Sequence, residues 1–218
     1  MNVSARSAVY ATPAWEATPD GVCRPGGLAL TDHALALCAL PPGARALDVG
    51  CGSGAVGAHL RDRHGLTAFG LDLVLGALRR AAPGLPRLQA LAETLPFPAA
   101  SFDLVLAECS LSLLSEPGRA MAEFRRCLRP GGWLVVSDLY ARSEAPSAPG
   151  AARLWTAAEL RGLAAEAGFM LAAWEDHTPA LKAFVAQWLF SHGTLPPLGC
   201  ALDPAARPGY GLLIARRS

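Results

Sequence analysis

The residues best placed to do chemistry lie in one short stretch, Asp48-Val49-Gly50-Cys51-Gly52-Ser53-Gly54. The apolar residues before Asp48 predict a buried strand, and Val56 and Leu60, four residues apart, predict a helix directly after the loop. A glycine loop between a strand and a helix N-terminus brings backbone N–H groups close to a polar ligand. The stretch therefore predicts a ligand cradle at the carboxyl edge of a parallel sheet.

Further carboxylates follow predicted strands along the chain: Asp72, Glu108, Asp138 and Asp176. The carboxyl ends of strands in an open α/β sheet line the crevice where ligands bind. One aspartate after a strand is usually a turn residue or a helix cap, but five carboxylates on one edge indicate a site. Asp72 lies 18 residues after Gly54, where a carboxylate can accept hydrogen bonds from both hydroxyls of a ribose. The cofactor is therefore expected to be adenosine-like.

Two kinds of adenosine cofactor fit this pattern. The segment from Gly52 to Gly57 matches the dinucleotide pattern Gly-x-Gly-x-x-Gly, so an NAD(P)-binding oxidoreductase stays an alternative. Asp48, however, sits in the strand just before the loop. Its negative charge would oppose a pyrophosphate and suits a ligand with an ammonium and a sulfonium group. The sequence favours this second kind of ligand.

Short apolar runs alternate with amphipathic segments of about ten residues, which is typical of βαβ units and a parallel sheet. Strands are predicted at 45–48, 66–71, 86–90, 102–107, 133–137, 169–174 and 210–215. The fold class is therefore α/β, a Rossmann-like, seven-stranded and mostly parallel sheet flanked by helices in a single domain. Residues 1–27 form an irregular arm or lid with Tyr10 and Trp15 as aromatic anchors, and residues 28–218 form the domain. These two aromatic residues are candidates for substrate contact.

Composition excludes several classes of protein. With 52% apolar and 17% charged residues, the chain is not a disordered protein. The net charge of +1 comes with scattered basic residues, so no nucleic-acid partner is expected. No run approaches about 18 apolar residues, so we expect no membrane association and a soluble, cytoplasmic monomer or homodimer. The six cysteines include no Cys-x-x-Cys pair or zinc-like spacing, and we expect free thiols and no metal.

The motifs together resemble a known family. The stretch Asp48–Gly54 resembles motif I of the class I S-adenosylmethionine-dependent methyltransferases. The segments at 92–97 (Ala-Glu-Thr-Leu-Pro-Phe), 101–103 (Ser-Phe-Asp) and 128–132 (Leu-Arg-Pro-Gly-Gly) are similar to the methyltransferase domain 11 subgroup that includes the quinone-biosynthesis methyltransferases. The resemblance covers about residues 28–140. It implies S-adenosyl-L-methionine as the cofactor and a small molecule as the methyl acceptor.

The resemblance also implies which residues contact the cofactor. The glycines should let the backbone lie against its methionine portion, with Asp48 holding that end and Asp72 the ribose. The full set of expected cofactor residues is Asp48, Gly50, Cys51, Gly52, Gly54, Asp72, Leu73, Ala92, Glu93 and Glu108. Leu91 departs from the family pattern, because many relatives have an aspartate there that accepts from the adenine amino group. This departure keeps open a non-catalytic cofactor-binding protein.

The segment after the fourth strand also resembles the arsenite methyltransferases, in which a cysteine at the position of Cys109 binds arsenic. This keeps an arsenite, metalloid or thiol methyltransferase as an alternative with Cys109 as a substrate residue. The partner cysteine that this group has between Tyr140 and Thr156 is missing. A general base is needed only where the acceptor loses a proton. The candidates are Glu108, His177 and Asp176, and the sequence does not choose among them.

Overall fold

The computed structural model describes residues 21–80, 84–143, 154–196 and 207–218. The predicted arm residues Tyr10 and Trp15 lie outside this part of the chain. The α-helices of the described residues, labelled α1 to α6, run over Gly27–Cys38, Ala55–His64, Leu75–Arg80, Pro117–Cys127, Ala157–Glu166 and Thr178–His192. None of them is long and apolar enough to cross a membrane.

The strands, β1 to β7, run over Arg45–Val49, Thr67–Asp72, Arg87–Gln89, Phe102–Glu108, Leu128–Ala141, Phe169–Asp176 and Pro208–Arg217. They form one sheet in the order β3-β2-β1-β4-β5-β7-β6. The pairs from β3 through to β5 are parallel, whereas β7 runs antiparallel to β5 and to β6. The predicted seven-stranded, mostly parallel α/β sheet is confirmed.

Strand β5 is much longer than the predicted segment 133–137. It extends to Ala141 because β7 pairs with it antiparallel from Trp133 to Ala141. The consequence is that Asp138 lies inside the strand and not after its end. A sequence pattern read one strand at a time does not reveal how far a distant partner strand will extend the pairing.

The sheet is buried on both faces by two apolar clusters. Alternate residues of β4 enter opposite clusters, with Leu104 and Leu106 in one and Val105 and Ala107 in the other. These side chains are fully buried, as expected for a parallel strand with helices on both sides. Helix α5 begins with a capping box between Thr156 and Glu159, which satisfies two backbone N–H groups.

The order in which successive strands join the sheet reverses at β1. Strands β2 and β3 lie on one side of β1, and β4 lies on the other side. This is the switch point at which open α/β sheets bind ligands. At the end of β1, Gly50 turns the chain with φ of 80°, and its N–H donates to the Leu71 carbonyl at 2.7 Å. A Cβ on Gly50 would lie 2.6 Å from the Cβ of Ser110. The turn therefore needs glycine both for its left-handed φ and for the close approach of Ser110.

We therefore expect Gly50→Ala to destabilise the protein more than Gly43→Ala. Gly43 has nearly the same φ, 79°, but a Cβ there would meet nothing within 4 Å. The control carries only the backbone strain of about 1–2 kcal/mol, whereas the Gly50 variant adds a steric clash of about 1–3 kcal/mol. Urea denaturation measures both, and equal losses of stability would contradict the close packing of Gly50 on Ser110.

Candidate functional site

A cavity of about 630 Å³ opens at the carboxyl ends of β1, β2 and β4. This volume is within the range of small-molecule and cofactor sites. The predicted residues that line it are Asp48, Gly50, Cys51, Gly52, Asp72, Leu73, Ala92, Glu93, Glu108 and Cys109, and Leu91 lines it as well. Gly54 does not line the cavity but forms the N-cap of α2, with φ of 81°.

Asp72 ends β2 and fixes the glycine loop to the neighbouring strand. Its Oδ2 accepts from the N–H of Gly52 at 2.8 Å, and its Oδ1 accepts from the N–H of Val74 at 2.8 Å. Each carboxylate oxygen has a second lone pair. The side chain is therefore held in position and keeps acceptor capacity toward the cavity, as a ribose-binding carboxylate requires.

Asp48 is a buried carboxyl whose Oδ2 has no hydrogen-bond partner among the residues that the structure describes. Burial raises the pKa of Asp48 to about 8, and the nearby carboxyls of Glu108 and Asp72 add to the rise, while Arg24 opposes it. An orphaned acceptor of this kind is costly unless something pairs with it. A cationic group of a ligand in the cavity would supply the missing partner.

Glu108, the last residue of β4, forms a buried ion pair with Arg24, with 2.8 Å between its Oε2 and the Arg24 Nη2. The same Nη2 donates to the Thr31 hydroxyl, and that hydroxyl lies 3.3 Å from the Glu108 Oε2. Burial raises the pKa of the Glu108 carboxyl, and Arg24 and Thr31 oppose this rise. The pKa of Arg24 is held above its usual value by Glu108 in spite of burial, so the guanidinium stays charged.

Cys109 lies at the edge of the cavity with φ of 52°. Its Sγ is 3.3 Å from the hydroxyl of Tyr210, which in turn is 3.1 Å from the hydroxyl of Ser137. Burial raises the pKa of the Cys109 thiol well above its usual range, and Asp138 adds to this effect. The thiol is therefore protonated at neutral pH and held by a tyrosine, which disfavours thiolate chemistry.

One wall of the cavity is a short 3₁₀ helix, Leu111–Leu113, which the sequence did not predict. Asp138 holds it by accepting from the N–H of Ser112 at 2.8 Å and from its hydroxyl at 2.8 Å. Burial raises the pKa of Asp138 to about 6, and these hydrogen bonds oppose the rise. Of the five carboxylates predicted at the sheet edge, Asp138 thus supports a wall of the cavity.

The remaining candidates for a general base, His177 and Asp176, are not among the residues that line the cavity. Asp176 accepts from the N–H of Thr178 at 2.8 Å, at the start of α6. His177 contacts Glu175 at 2.8 Å, and Glu175 also contacts His33 of α1 at 2.7 Å. Glu108 is the candidate that the fold brings to the cavity.

Sequence reasoning missed Arg24 and Thr31. Arg24 stands in the Pro- and Gly-rich segment before α1, and its partner Glu108 is 84 residues away. No local pattern marks a single arginine for such a contact. Thr31 is one polar residue on a helix that is otherwise mostly apolar, and it is fully buried.

Together, a switch-point cavity, a glycine turn and a carboxylate at the end of β2 define an α/β protein that binds an adenosine cofactor. The family model described as "Methyltransferase domain" matches residues 47–136. The O-methyltransferase cnsE of Penicillium expansum is 30% identical over 200 residues, which cover 80% of this chain and 72% of that protein. The chain belongs to the class I S-adenosylmethionine-dependent methyltransferases.

Two other similar proteins cover different shares of this chain. The demethylmenaquinone methyltransferase of Renibacterium salmoninarum is 39% identical over 100 residues, or 44% of this chain and 42% of that protein. The chain spans less than half the length of the first curated relatives that it matches. The crystal structure of the [4+2]-cyclase SpnF has a TM-score of 0.73 and 27% identity, covering 87% of this chain and 80% of that one.

The residues around the cavity fit the cofactor of this family. S-adenosylmethionine carries an ammonium and a sulfonium, and Asp48 would supply a matching negative charge by releasing the proton that its pKa of about 8 lets it keep in the ligand-free protein. At Gly52 a Cβ would meet nothing within 4 Å, so the loop leaves open space on the cavity side. The same Gly52 is bonded to Asp72, so the loop and the ribose-type carboxylate form one unit.

We expect Asp48→Asn to stabilise the ligand-free protein, and more so at high pH. The carboxyl pKa of about 8 in the folded chain exceeds the value of about 3.9 in an unfolded chain. The folded chain thus keeps a proton that the unfolded chain has released, and stability falls as the pH rises from about 4 to about 8. Asp48→Asn has no such proton to keep. Its free energy of unfolding should therefore exceed that of the wild type by an amount that grows with rising pH, by up to about 1.4 kcal/mol per pH unit.

Urea denaturation at pH 5 and pH 8 measures this difference, and Asp62→Asn is the matched control. Asp62 is exposed and pairs with Arg61, so its substitution should leave the pH profile between 5 and 8 unchanged. Titration calorimetry with S-adenosylhomocysteine should show at least a roughly tenfold loss of affinity in Asp48→Asn and none in the control. Parallel pH profiles for the wild type and Asp48→Asn would refute the raised pKa.

Arg24→Met should destabilise the protein by about 3–5 kcal/mol, since it leaves the Glu108 carboxylate buried without its cation. The double variant Arg24→Met/Glu108→Gln should recover a large part of this loss. Arg61→Met is the control, because Arg61 also pairs with a carboxylate but on the surface, where such pairs contribute less than about 1 kcal/mol. A double variant no more stable than Arg24→Met would contradict the coupling.

Proposed function

We propose that this chain transfers a methyl group from S-adenosylmethionine to an oxygen atom of a small, largely apolar molecule. The observation that carries the proposal is the buried Asp48 carboxyl beside the glycine turn, whose Oδ2 lacks a hydrogen-bond partner among the described residues. Once deprotonated, this carboxyl would match the methionine end of the donor in charge, and Asp72 at the end of β2 matches the ribose. The adenine would lie near Leu91, Ala92 and Glu93, which line the same cavity.

The nature of the acceptor is inferred from the other side of the cavity. Val22, Leu113 and Leu114 contribute apolar surface there. Arg24, the cation among the described lining residues, is held by Glu108, so an anionic acceptor has no evident partner in this part of the chain. The relative cnsE is named an O-methyltransferase, and this supports an oxygen acceptor.

Methyl transfer makes modest demands on the protein. S-adenosylmethionine, when bound, supplies an electrophilic methyl group on a sulfonium. The walls of the cavity hold the acceptor in line with that methyl group, and orientation can account for much of the rate. A hydroxyl acceptor must also lose its proton, and Glu108 is the carboxylate in the cavity suited to accept it. Arg24 and Thr31 fix the direction of that carboxylate.

Other chemistries are less well supported. The protonated Cys109 thiol beside Tyr210 argues against a metalloid acceptor, and no similar protein described above points to arsenite or to NAD. SpnF has a similar fold and is called a [4+2]-cyclase. One fold can therefore carry different reactions. Methyl transfer itself therefore has to be measured.

The proposal predicts that S-adenosylhomocysteine binds the protein and NAD does not, as titration calorimetry will show. Incubation with isotope-labelled S-adenosylmethionine and a panel of hydroxyl-bearing apolar molecules should label at least one acceptor. Tight NAD binding without a response to S-adenosylhomocysteine would overturn the proposal. Cofactor binding without any methylated product would favour a protein that binds the cofactor but does not transfer its methyl group.

Cys109→Ser tests the metalloid alternative directly. A serine hydroxyl keeps a hydrogen-bonding group beside Tyr210, so cofactor affinity should change by less than about threefold, and methylation of an oxygen acceptor should persist. Arsenite should give no methylated product with either protein. Arsenite turnover in the wild type that is lost in Cys109→Ser would assign a substrate-binding thiolate to this position.

A further inference from the structure

Outside the cavity, two clusters of metal-ligating side chains meet on helix α1. Asp32 of α1 lies with His59 and His64 of α2, and His33 of α1 lies with Glu175 and His177 at the start of α6. The chain has five histidines, so these clusters contain four of them. The spacing of histidines along the sequence did not predict either cluster, because each joins residues from different elements.

In the first cluster, two imidazoles converge on one carboxylate oxygen. The Nε2 atoms of His59 and His64 each lie 2.6 Å from the Oδ1 of Asp32, and the two ring centroids are 5.4 Å apart. The three ligand atoms all lie within 4.8 Å of one another, which is close enough for one ion to bind all three.

We propose that Asp32, His59 and His64 bind a divalent transition-metal ion, with Zn²⁺ the ion most suited to this set of ligands. Two neutral imidazoles and one carboxylate are typical zinc ligands, with bonds of about 2.0–2.2 Å. Bonds of that length separate the ligand atoms by about 3.4 Å, so each imidazole would move less than about 1 Å from the Asp32 oxygen. Three protein ligands leave a fourth position for water or an exogenous ligand.

The first cluster is better suited to a metal than the second. Its histidine side chains are 17% and 27% exposed, whereas His33 of the second cluster is 46% exposed. Both of its imidazoles also come from one helix, α2, whose end is fixed by Gly65 in the left-handed conformation. Less of the imidazole surface is therefore open to water, and the two nitrogen ligands are held by a single rigid element.

A metal at this position would join α1 to α2. Thr31, the residue before Asp32, contacts both Arg24 and Glu108 at the cavity, and α2 begins directly after the glycine loop. The ion would thus hold together the two helices that flank the cofactor cavity. Its role is structural or regulatory and does not depend on which molecule is methylated.

The experiment uses the full chain without an affinity tag, first treated with EDTA and then dialysed. Titration calorimetry with ZnCl₂ should show one saturable site, and thermal unfolding should shift upward by about 5–10 °C at a hundredfold excess over the Kd. His59→Gln and His64→Gln should each weaken binding at least about tenfold. His192→Gln is the matched control, because His192 stacks on Trp188 outside both clusters, and it should bind like the wild type.

Cobalt distinguishes this site from others in the chain. Co²⁺ bound by nitrogen and oxygen ligands should give visible absorption without the near-ultraviolet band of a thiolate-to-cobalt charge transfer. Absence of saturable Zn²⁺ binding by the wild type would overturn the proposal. So would binding that survives in His64→Gln but is lost in His177→Gln, because the ion would then occupy the second cluster. A thiolate-to-cobalt band would also contradict the proposal, because the ion would then be bound by cysteines.

Discussion

The structure depends on how the negative charge of three carboxylates is compensated at the switch point of the sheet. Strands β1, β2 and β4 bring Asp48, Asp72 and Glu108 to one cavity. Asp72 is satisfied by backbone N–H groups and Glu108 by a buried guanidinium. Asp48 keeps one oxygen without a hydrogen-bond partner in the described part of the chain. The protein thus leaves one of its three charges to be neutralised by a proton or by a cationic ligand.

This arrangement sets stability against function at one residue. In the ligand-free protein, a buried carboxyl with a pKa of about 8 lowers stability at neutral pH relative to an uncharged side chain. A ligand that binds only the folded state and brings a positive charge removes this cost and stabilises the fold by mass action. Under the proposed function, the buried Asp48 carboxyl is therefore part of the binding site and not a defect of packing.

The sequence predicted those features that depend on residues close together in the chain. The glycine turn and the carboxylates at the ends of β2 and β4 are local patterns, and both lie where they were expected. The ion pair of Arg24 with Glu108 spans 84 residues and has no local signature. The same holds for the histidine clusters, since His59 and His64 meet an aspartate from another helix. Contacts that the topology creates between distant elements cannot be read from spacing.

Helix α1 shows why such distant contacts matter for the cavity. Successive residues of an α-helix point about 100° apart, so Thr31, Asp32 and His33 leave α1 in three directions. They contact Glu108 at the cavity, the histidines of α2, and Glu175 at the end of β6, respectively. A rigid helix cannot move away from one of these partners without disturbing the other two. The orientation of the Arg24–Glu108 pair at the cavity therefore depends on polar contacts made by other faces of α1, outside the cavity itself.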